Sequence, residues 1–550
     1  MNRNFLIYPA LFLGSVIFAW PFLWMAATSV KLEREMYGEK VHMWPATPSP
    51  EGVSPYVDTR YYRDVAGPRM HEAVADIEAD LQAMTYPWPQ DLDRASLIHA
   101  CATGIYKKMR DSQPPDVWQQ PAAQLDTTLR PQVTPTLTGD TINQVRRAFC
   151  LGELWIKSYD LQDQKLVDGP AVAAAWQPGA SGPVQLVQQP GSKPFAEVHY
   201  DLTKGDTLEL AHTFSTSFPV DRLHRIQFSL KDDDSWNRLT LYLEKQGRLY
   251  KAEHVHAMGD DSWNICFWQE PGPDDLSTNK IHNWILLRQV ASGPQYESDL
   301  HKLRIRIEVR RANIVDTWAE KIWRNYQITL DYVPFWRYVG TSVFIVILSL
   351  IGTLFSCSLV AYSFARLQWP GRNFCFALML ATMMIPGQVT MIPYFLIVRA
   401  LGWYNTLYPL WIGNFFAAAF NVFLLRQFLR GVPRDLEDAA KIDGCGFWRI
   451  YWHIMLPLVR PTLAVIGIFT FMAAWNDFMG PLIYLSDERL YPLSLGLYAL
   501  NVSTHGVSSG AGSFGVVMAG SLLMTLPVIV TFFFAQRYFL KGVALTGMKG

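Results

Sequence analysis

The residues best placed to act on another molecule lie in a polar loop between two apolar stretches, from Pro433 to Pro461. Its acidic side chains, Asp435, Glu437 and Asp438, fall in the first turns of a predicted helix, where negative charge is favourable. Pro433 is tolerated at a helix start, so the pattern predicts a short helix that begins there.

Small residues follow the acids. Ala439 and Ala440 allow another surface to approach closely, and Gly444 permits a sharp turn of the backbone. A second short helix is predicted next, with one apolar face formed by Phe447, Ile450, Tyr451 and Ile454. The pattern indicates a helix–turn–helix knob along a membrane, able to transmit force as a rigid body. An ordinary structured loop is the plainer interpretation.

Polar side chains inside the apolar stretches are the other candidates. Asn476 and Asp477 lie deep in one stretch, where ionisable groups are costly and often functional. They either line a route across the membrane or cap a helix broken near Gly480. Asn414 and Asn421 either line a polar cavity or, as we favour, hydrogen-bond between helices. Gln388 is a candidate route residue because it lies beside a kink predicted at Pro386-Gly387.

These residues require membrane-spanning elements to position them. Six apolar runs are long enough to cross a bilayer, at about 5–28, 339–365, 374–398, 407–429, 458–484 and 515–538. Lysine and arginine crowd one side of these runs, at Arg3, Arg366, Arg372, Arg426, Arg430, Arg434, Lys441, Arg449, Arg537, Lys541 and Lys549. The positive-inside bias places both termini and the polar loop in the cytosol, and the long segment 31–325 outside.

The external segment is predicted to be an α+β domain. Residues 69–112 have apolar residues at helical spacing, and a mostly antiparallel β-sandwich is predicted over about 120–325. In LRIRIEVRR, for example, Leu303, Ile305 and Ile307 alternate with charged residues. The predicted fold is therefore a multi-pass α-helical membrane protein with a first helix in 1–30, an inserted domain in 31–325 and a helical core in 326–550.

Several patterns in the external segment suggest ligands, although a structural interpretation is favoured for each. The pentapeptide DDSWN occurs twice, and Trp236 and Trp263 either stack on sugar rings or are core residues. The acidic runs lack a full EF-hand loop. His254 and His256 lack a third metal ligand at a recognisable spacing, which favours solvent-facing strand positions. The three external cysteines, Cys101, Cys150 and Cys266, form either one disulfide with a spare thiol or buried single thiols.

Charge and motifs exclude some functions. The chain has 48 basic and 48 acidic residues, which indicates no nucleic-acid partner. It contains no G-x-x-x-x-G-K-[ST] loop, so no Walker-type ATP site is expected, and no metal, cofactor or catalytic signature supports an enzyme.

The polar loop resembles the signature of ABC importer permeases: Glu-Ala-Ala, three residues, Gly, nine residues, Ile-x-Leu-Pro. Asp438-Ala439-Ala440, Gly444, Ile454 and Leu456-Pro457 fit this spacing, with Asp438 in place of the usual Glu. The stretches MIPGQVTMIPYFLIVRALGWYNTLYPL, FTFMAAWNDFMGPLIYL and FLKGVALTGMKG are similar to the maltose-type, carbohydrate-uptake branch of that family. The resemblance covers about 5–48 and 322–550.

The resemblance implies a type I importer half in a cell inner membrane. Its expected partners are a second permease subunit, an ATPase dimer that binds ATP and Mg, and an external solute-binding protein. Residues 434–453 would dock in the ATPase, through a coupling loop over 433–457, and the tail 542–550 would reach between the two ATPase subunits. The expected cargo is a carbohydrate, with a polyol or a glycerol phosphodiester as alternatives. A membrane-anchored receptor is the competing class.

Overall fold

The structure is a computed structural model that describes residues 3–32, 35–36, 43–60, 62, 65–119, 125, 128–168, 171–179, 183–189, 194–270, 284–504 and 514–546. The helices of the first half are α1 (Arg3–Thr28), α2 (Met70–Ala83), α3 (Arg94–Ser112), α4 (Pro135–Val145) and α5 (Ile314–Tyr332). Those of the second half are α6 (Phe335–Arg366), α7 (Arg372–Ala381), α8 (Gly387–Ala400), α9 (Tyr408–Trp411), α10 (Ala419–Gly431), α11 (Asp435–Ile442), α12 (Phe447–Ile450), α13 (Leu456–Leu458), α14 (Arg460–Trp475), α15 (Met479–Tyr484), α16 (Leu493–Thr504) and α17 (Phe514–Thr546).

All described strands belong to the segment predicted to be external, which we call the external domain. They are β1 (Val53–Ser54), β2 (Tyr56–Val57), β3 (Arg146–Arg147), β4 (Phe149–Ser158), β5 (Asp163–Val167), β6 (Gln177–Pro178), β7 (Val184–Gln189), β8 (Phe195–Asp201), β9 (Thr207–Ser215), β10 (Leu223–Lys231), β11 (Arg238–Lys245), β12 (Arg248–Ala252), β13 (His256–Ala257), β14 (Trp263–Gln269), β15 (Ile285–Ser292) and β16 (Lys302–Arg310).

A small helical unit precedes the strands. Helices α2, α3 and α4 share one apolar core, in which Ile77, Leu81 and Ile105 are buried. The predicted start of the sandwich, at about residue 120, is therefore too early, because α4 occupies residues 135–145. The Thr134 side chain accepts a hydrogen bond from the Leu137 N–H, which caps this helix, and a proline occupies its first position.

Fourteen strands form one continuous sheet. Eleven follow the order β1-β8-β4-β10-β14-β15-β12-β11-β16-β9-β6, and three pair beside this path: β13 with β11, β5 with β4 and β7 with β8. Neighbouring strands are antiparallel except β14 and β15, which pair in parallel through Trp268 and Ile285. Along β16 the predicted alternation is confirmed, since Leu303, Ile305 and Ile307 are all buried.

The sheet closes over a single apolar core. The Trp176 ring lies 5.7 Å from Phe214 in β9 and 5.5 Å from Phe228 in β10, measured between ring centroids. These two strands are far apart in the sheet order, so the two halves of the sheet face each other. One hydrophobic cluster contains residues from both halves.

The chain enters and leaves the external domain at one place. Glu35, just after α1, forms a buried ion pair with Lys321 of α5, with Oε1 and Nζ 2.5 Å apart. The Asn237 side chain donates to the Glu51 carbonyl oxygen at 2.9 Å and accepts from the Ala312 N–H at 3.3 Å. Side chains thus connect the entering and leaving segments.

Helix α5 links this domain to the membrane helices. The boundary predicted at 325/326 lies inside α5, which is continuous because no glycine or proline separates its Asn313 cap from Tyr332. The Thr329 hydroxyl donates to the Val516 carbonyl oxygen of α17 at 3.3 Å. The domain and the membrane part therefore share a helix.

Four helices in the described residues are long and apolar enough to cross a bilayer, and two bent helix pairs raise this number to six if each pair makes one crossing. The first bent pair turns by 100° between 372–384 and 387–400. This bend lies at the predicted Pro386-Gly387 kink. The run predicted over 458–484 is divided into α14 and α15, with a break at residues 476–478.

Candidate functional site

The polar loop folds as a helix–turn–helix, which we call the knob (residues 433–457). Helix α11 is followed by Gly444, whose φ of 78° lies in the left-handed region. Helix α12 continues through a π-helical turn, Tyr451–Met455, into α13. The two-helix arrangement predicted from the sequence is present.

A buried ion pair fixes the first helix of the knob. Glu437 in α11 lies 3.0 Å from Arg366, the last residue of α6, measured from Oε1 to Nε. The Arg366 guanidinium also donates to the Val432 carbonyl oxygen at 2.5 Å and to that of Leu429. One arginine therefore joins the end of α6, the end of α10 and the start of α11.

A hydroxyl pair fixes the second helix. The Tyr451 and Ser358 hydroxyl groups lie 2.6 Å apart, and Tyr451 is buried together with Ile450 and Met455. The apolar face predicted for this helix is only partly correct, because Phe447 points outward and Ile454 is half-buried. The buried face instead includes Met455.

The outer surface of the knob carries both charged and large apolar side chains. The exposed charged residues include Arg434, Asp435, Lys441, Asp443 and Arg449. Ile442 is 87% exposed, Trp448 is 66% exposed, and Leu436, Phe447 and Trp452 are also exposed. Large apolar side chains grouped in this way are typical of a surface that another protein covers. The knob is thus fixed on its inner side and presents exposed apolar and charged side chains on its outer side.

The predicted loop residues divide between these two sides. Glu437 and Ala440 are buried, Ile454, Leu456 and Pro457 are half-buried, and Asp438, Ala439 and Gly444 are exposed. Asp438 forms an exposed pair with Lys441 at 2.9 Å. The sequence motif did not identify Arg366 as the partner of Glu437, because Arg366 lies in another helix, outside the motif.

The predicted route residues are only partly brought together. Gln388 lines a cleft of about 530 Å³ that is also lined by Tyr394, Met479, Gly480 and Tyr484. Asp477 lies next to this cleft, where its Oδ1 accepts from the Gly480 N–H at 3.1 Å. This contact satisfies a backbone N–H in the first turn of α15 and so favours the capping alternative, with Asp477 one residue before the N-cap residue Phe478. The exposed Asn476 side chain donates back to the Met472 carbonyl oxygen at 2.9 Å.

Asn414 and Asn421 lie away from that cleft. The Asn414 side chain donates to the Ser349 hydroxyl at 3.0 Å, and its Oδ1 accepts from Thr353 at 3.2 Å. The prediction of hydrogen bonding between helices is confirmed for Asn414. The helix is interrupted at residues 416–418, so Asn414 and Asn421 do not share one continuous helix face.

Comparison with known proteins identifies the family. Residues 356–544 match the family described as "Binding-protein-dependent transport system inner membrane component". The arabinooligosaccharide transport permease AraQ of Halalkalibacterium halodurans is 37% identical over 216 residues, which cover 39% of this chain and 75% of AraQ. This chain belongs to the binding-protein-dependent ABC transport permeases.

Other similar proteins match a comparable share of the permease chain. The lactose transport permease LacG of Rhizobium radiobacter is 33% identical over 38% of this chain and 72% of LacG. A solved bacterial ABC transporter involved in the import of the acidic polysaccharide alginate is 26% identical over 39% of this chain and 79% of that chain, with a TM-score of 0.36. The family match begins at residue 356, so the external domain lies outside it. Members are transport subunits rather than enzymes.

The external domain of the permease buries most of its candidate ligand residues. Trp236 is buried, as the core interpretation predicted. Trp263 is 38% exposed and packs edge-on against Phe195 with ring centroids 5.4 Å apart, so the prediction of a core residue is wrong there. Asp233 is buried and accepts from the Tyr200 hydroxyl at 2.8 Å. Burial raises the pKa of this carboxyl to about 6. The first DDSWN segment is therefore a core element, as the structural interpretation predicted.

The prediction that both histidines face solvent is wrong. Nε2 of His256 lies 2.8 Å from Oδ1 of buried Asp232, and Nε2 of His254 lies 2.8 Å from Oδ2 of Asp331 in α5. Burial opposes the charged form of His256, but the Asp232 carboxylate raises its pKa well above the usual value. Each histidine ring contacts a carboxylate from another element of the chain. The alternation of residues along a strand does not predict such contacts.

One acidic group in the described residues has the arrangement of a metal site, namely Asp91, Glu197 and His199. Arg146 already occupies its centre, with Nη2 2.5 Å from Asp91 and 2.6 Å from Glu197. Burial opposes ionisation of Glu197, but hydrogen bonds from Arg146 lower its pKa to about 2. The group is an ion-pair network. All six cysteines are free, so the disulfide alternative is wrong.

Proposed function

We propose that this permease forms one half of a carbohydrate pathway and is driven by a separate cytosolic ATPase docked on the knob. The observation that supports this proposal is the structure of the knob, which exposes large apolar side chains on a base held by the Arg366–Glu437 pair. A force applied to that surface is transmitted to α6 and α10, because one guanidinium joins both helices to the knob.

The coupling role extends to the other loop residues. Asp438 and Ala439 are exposed at the docking surface, Gly444 sets the angle between the two helices, and Leu456-Pro457 begin the return to the membrane. ATP and Mg are assigned to the partner ATPase, because this chain has no phosphate-binding loop of the Walker type. The role proposed for the tail 542–550 rests on resemblance. Helix α17 continues to Thr546, and residues 547–550 lie outside the described part of the chain.

The carbohydrate assignment rests on the relatives, whose names specify arabinooligosaccharides and lactose. Gln388 and Asp477 are proposed to face the route, since Gln388 lines the cleft and Asp477 lies beside it, where it accepts from the Gly480 N–H. Asn414 is assigned to helix packing and no longer to the route, because its amide already bonds to Ser349.

We also propose six membrane crossings, with both termini and the knob in the cytosol, and a sandwich-like external domain on the opposite side. The six-crossing count is supported by the two bent helix pairs. The orientation is supported by the basic residues that flank the knob. The proposed partners are a second permease, an ATPase dimer and an external solute-binding protein.

The test is transport and ATPase retention by the assembled complex. Trp448→Asp places a charge on the docking surface, and it is expected to abolish both copurification of the ATPase and uptake of a labelled oligosaccharide. Leu161→Asp is the matched control, since Leu161 is an equally exposed apolar residue on the external domain. Normal ATPase binding and uptake by Trp448→Asp would contradict the proposal. Uptake of a polyol or a glycerol phosphodiester in place of the oligosaccharide would overturn the cargo alone.

A further inference from the structure

Helix α5 has its polar and apolar faces reversed relative to a water-exposed helix. Four polar residues spaced by one turn are buried: Thr317, Lys321, Asn325 and Thr329. The Thr317 and Thr329 hydroxyls donate to backbone carbonyl oxygens one turn earlier. Lys321 and Asn325 have partners outside α5. Lys321 bonds to Glu35, and the Asn325 amide donates to the carbonyl oxygens of Ser29 and Lys31 at 2.8 and 3.2 Å.

The outward face of α5 forms an apolar stripe, which we call the α5 stripe: Val315, Ala319, Ile322, Trp323 and Tyr326. Val315 is 73% exposed and Trp323 is 60% exposed. These positions are spaced by three, four or seven residues, so they lie on one side of the helix. The charged residues Asp316 and Glu320 lie on another side, where both approach Arg238. No position of the stripe is charged.

The stripe continues onto the outer end of α1. The Tyr326 hydroxyl lies 2.8 Å from the Ser29 hydroxyl, and the Trp323 ring lies 6.1 Å from the Tyr326 ring, between centroids. Trp24 and Lys31 lie at this end of α1, and both residue types are typical of a membrane boundary. The Lys31 ammonium is 4.2 Å from the centroid of the Trp24 ring.

The membrane-facing surface of α1 supplies the chemistry of the partner. Apolar side chains of α1 such as Phe12 and Phe18 are largely exposed on a helix that is long enough to cross a bilayer. Tryptophan and tyrosine are enriched where lipid headgroups meet the acyl chains. The stripe therefore continues the exposed apolar surface of α1 at the point where α1 ends.

We propose that the α5 stripe docks into the interface of the outer lipid leaflet, with Ile322, Trp323 and Tyr326 among the headgroups and upper acyl chains. Helix α5 then holds the external domain at a fixed height and tilt above the bilayer. Its buried polar face binds the segment after α1 and the start of α17, and its apolar face binds lipid.

The test is depth-dependent fluorescence quenching in the assembled transporter, reconstituted in lipid nanodiscs. Cys375 and Cys445 are replaced by serine, because these are the cysteines that are not buried. An environment-sensitive dye is attached to Ile322→Cys and, separately, to Trp323→Cys. The lipids carry a nitroxide either near the headgroup or at the end of the acyl chain, and iodide is the water-soluble quencher. Two positions are used so that the loss of one variant in assembly still leaves the proposal tested by the other.

Phe18→Cys, midway along α1, is the deep-lipid reference, and Leu161→Cys, on the external domain, is the water reference. We expect both stripe positions to lose more fluorescence to the headgroup nitroxide than to the acyl-chain nitroxide, with little loss to iodide. Quenching by iodide alone, as at Leu161, would overturn the proposal. Protection from all three quenchers would also overturn it, because it would show that a second permease subunit covers the stripe.

Discussion

Arg366 and Glu437 form an ion pair between the end of α6 and the first turn of α11, and both side chains are at least nine-tenths buried. Their atoms Nε and Oε1 lie 3.0 Å apart. Because the pair lies under the knob and not on its outer surface, Glu437 holds the knob in position and does not contact the ATPase in the proposed assembly.

Glu437→Ala is predicted to disable coupling without removing the docking surface. Loss of one member of a buried ion pair typically costs about 3–5 kcal/mol, because the remaining charge is left without a partner. We expect the ATPase to copurify while ATP-driven uptake is lost. The measurement is uptake relative to ATP hydrolysis in proteoliposomes.

Two variants separate this effect from a general loss of charge. Asp160→Ala removes an exposed acid of the external domain, away from the knob, and is expected to change uptake little, since exposed pairs contribute about 0–1 kcal/mol. A double variant, Arg366→Met with Glu437→Met, removes both buried charges and is expected to recover stability but not coupling, because the bonds from Arg366 to the Leu429 and Val432 carbonyl oxygens are lost as well. Equal losses of uptake in Glu437→Ala and Asp160→Ala would contradict the assigned role of the buried pair.

Gly444→Ala is predicted to loosen the knob. The backbone at this position has a φ of 78°, and no atom lies within 4 Å of an added methyl group, so the cost is conformational. A left-handed alanine costs about 1 kcal/mol, which corresponds to roughly fivefold faster hydrogen exchange of amides in α11 and α12. Gly446→Ala is the matched control, because Gly446 has an ordinary φ of −74°. Similar exchange rates in the two variants would count against this account.

Two variants of Asp477 test whether this residue caps a helix or supplies a negative charge to the route. Asn can accept the hydrogen bond from the Gly480 N–H through its side-chain oxygen, whereas Ala cannot. If the cap is the main role, Asp477→Asn retains most uptake and Asp477→Ala loses it. Loss of uptake in Asp477→Asn, with normal amounts of protein in the membrane, would instead assign the function to the negative charge.

Gly352→Leu is predicted to destabilise the contact between α6 and the Asn414 segment. A Cβ atom at Gly352 would lie 2.6 Å from the Phe415 ring, closer than packed atoms allow. Overpacking of this kind costs about 1–3 kcal/mol. The detergent-solubilised chain should unfold at a lower temperature, whereas Gly340→Leu, with open space around it, should not. An unchanged unfolding temperature for Gly352→Leu would show that the two segments separate readily.

The external domain is predicted to lose stability as pH rises through the raised pKa of Asp233. Burial raises this pKa from 3.8 to about 6, so the folded state binds the proton more tightly than the unfolded state. The protonated carboxyl therefore stabilises the fold fully below about pH 4, and this contribution disappears as the pH rises past about 6. A shift of this size corresponds to roughly 3 kcal/mol.

Asp233→Asn should flatten this dependence, because the amide does not titrate. The measurement is hydrogen exchange of the 233–237 segment in the whole chain at several pH values, corrected for intrinsic exchange rates. Asp160→Asn, at an exposed acid, serves as the control. A wild-type pH profile that persists in Asp233→Asn would assign the effect to another group.

The knob was predictable because its determinants are local. The acids at a helix start, Gly444 at the turn and the apolar residues of α12 all lie within one short segment. Arg366 was not predictable as the partner of Glu437, since the two residues meet only when α6 and α10 pack together. The same limit explains the histidines. Asp232 and Asp331 come from other elements, and strand alternation describes only which face a side chain occupies.

The external domain was predictable in class but not in its bounds. Alternation in β16 correctly indicated one buried face, because each strand position reports its own side of the sheet. The long α5 helix was missed because its buried polar residues do not form an apolar pattern. A reversed helix becomes recognisable only when its neighbours show which face is inside.

Because Glu35 and Lys321 meet where the chain enters and leaves the external domain, the insertion is a closed excursion from the membrane core. Its two ends are already side by side, so its size places little geometric demand on the helices that follow. The domain can therefore be large without forcing apart the helices on either side of it, although it shares α5 with the membrane part.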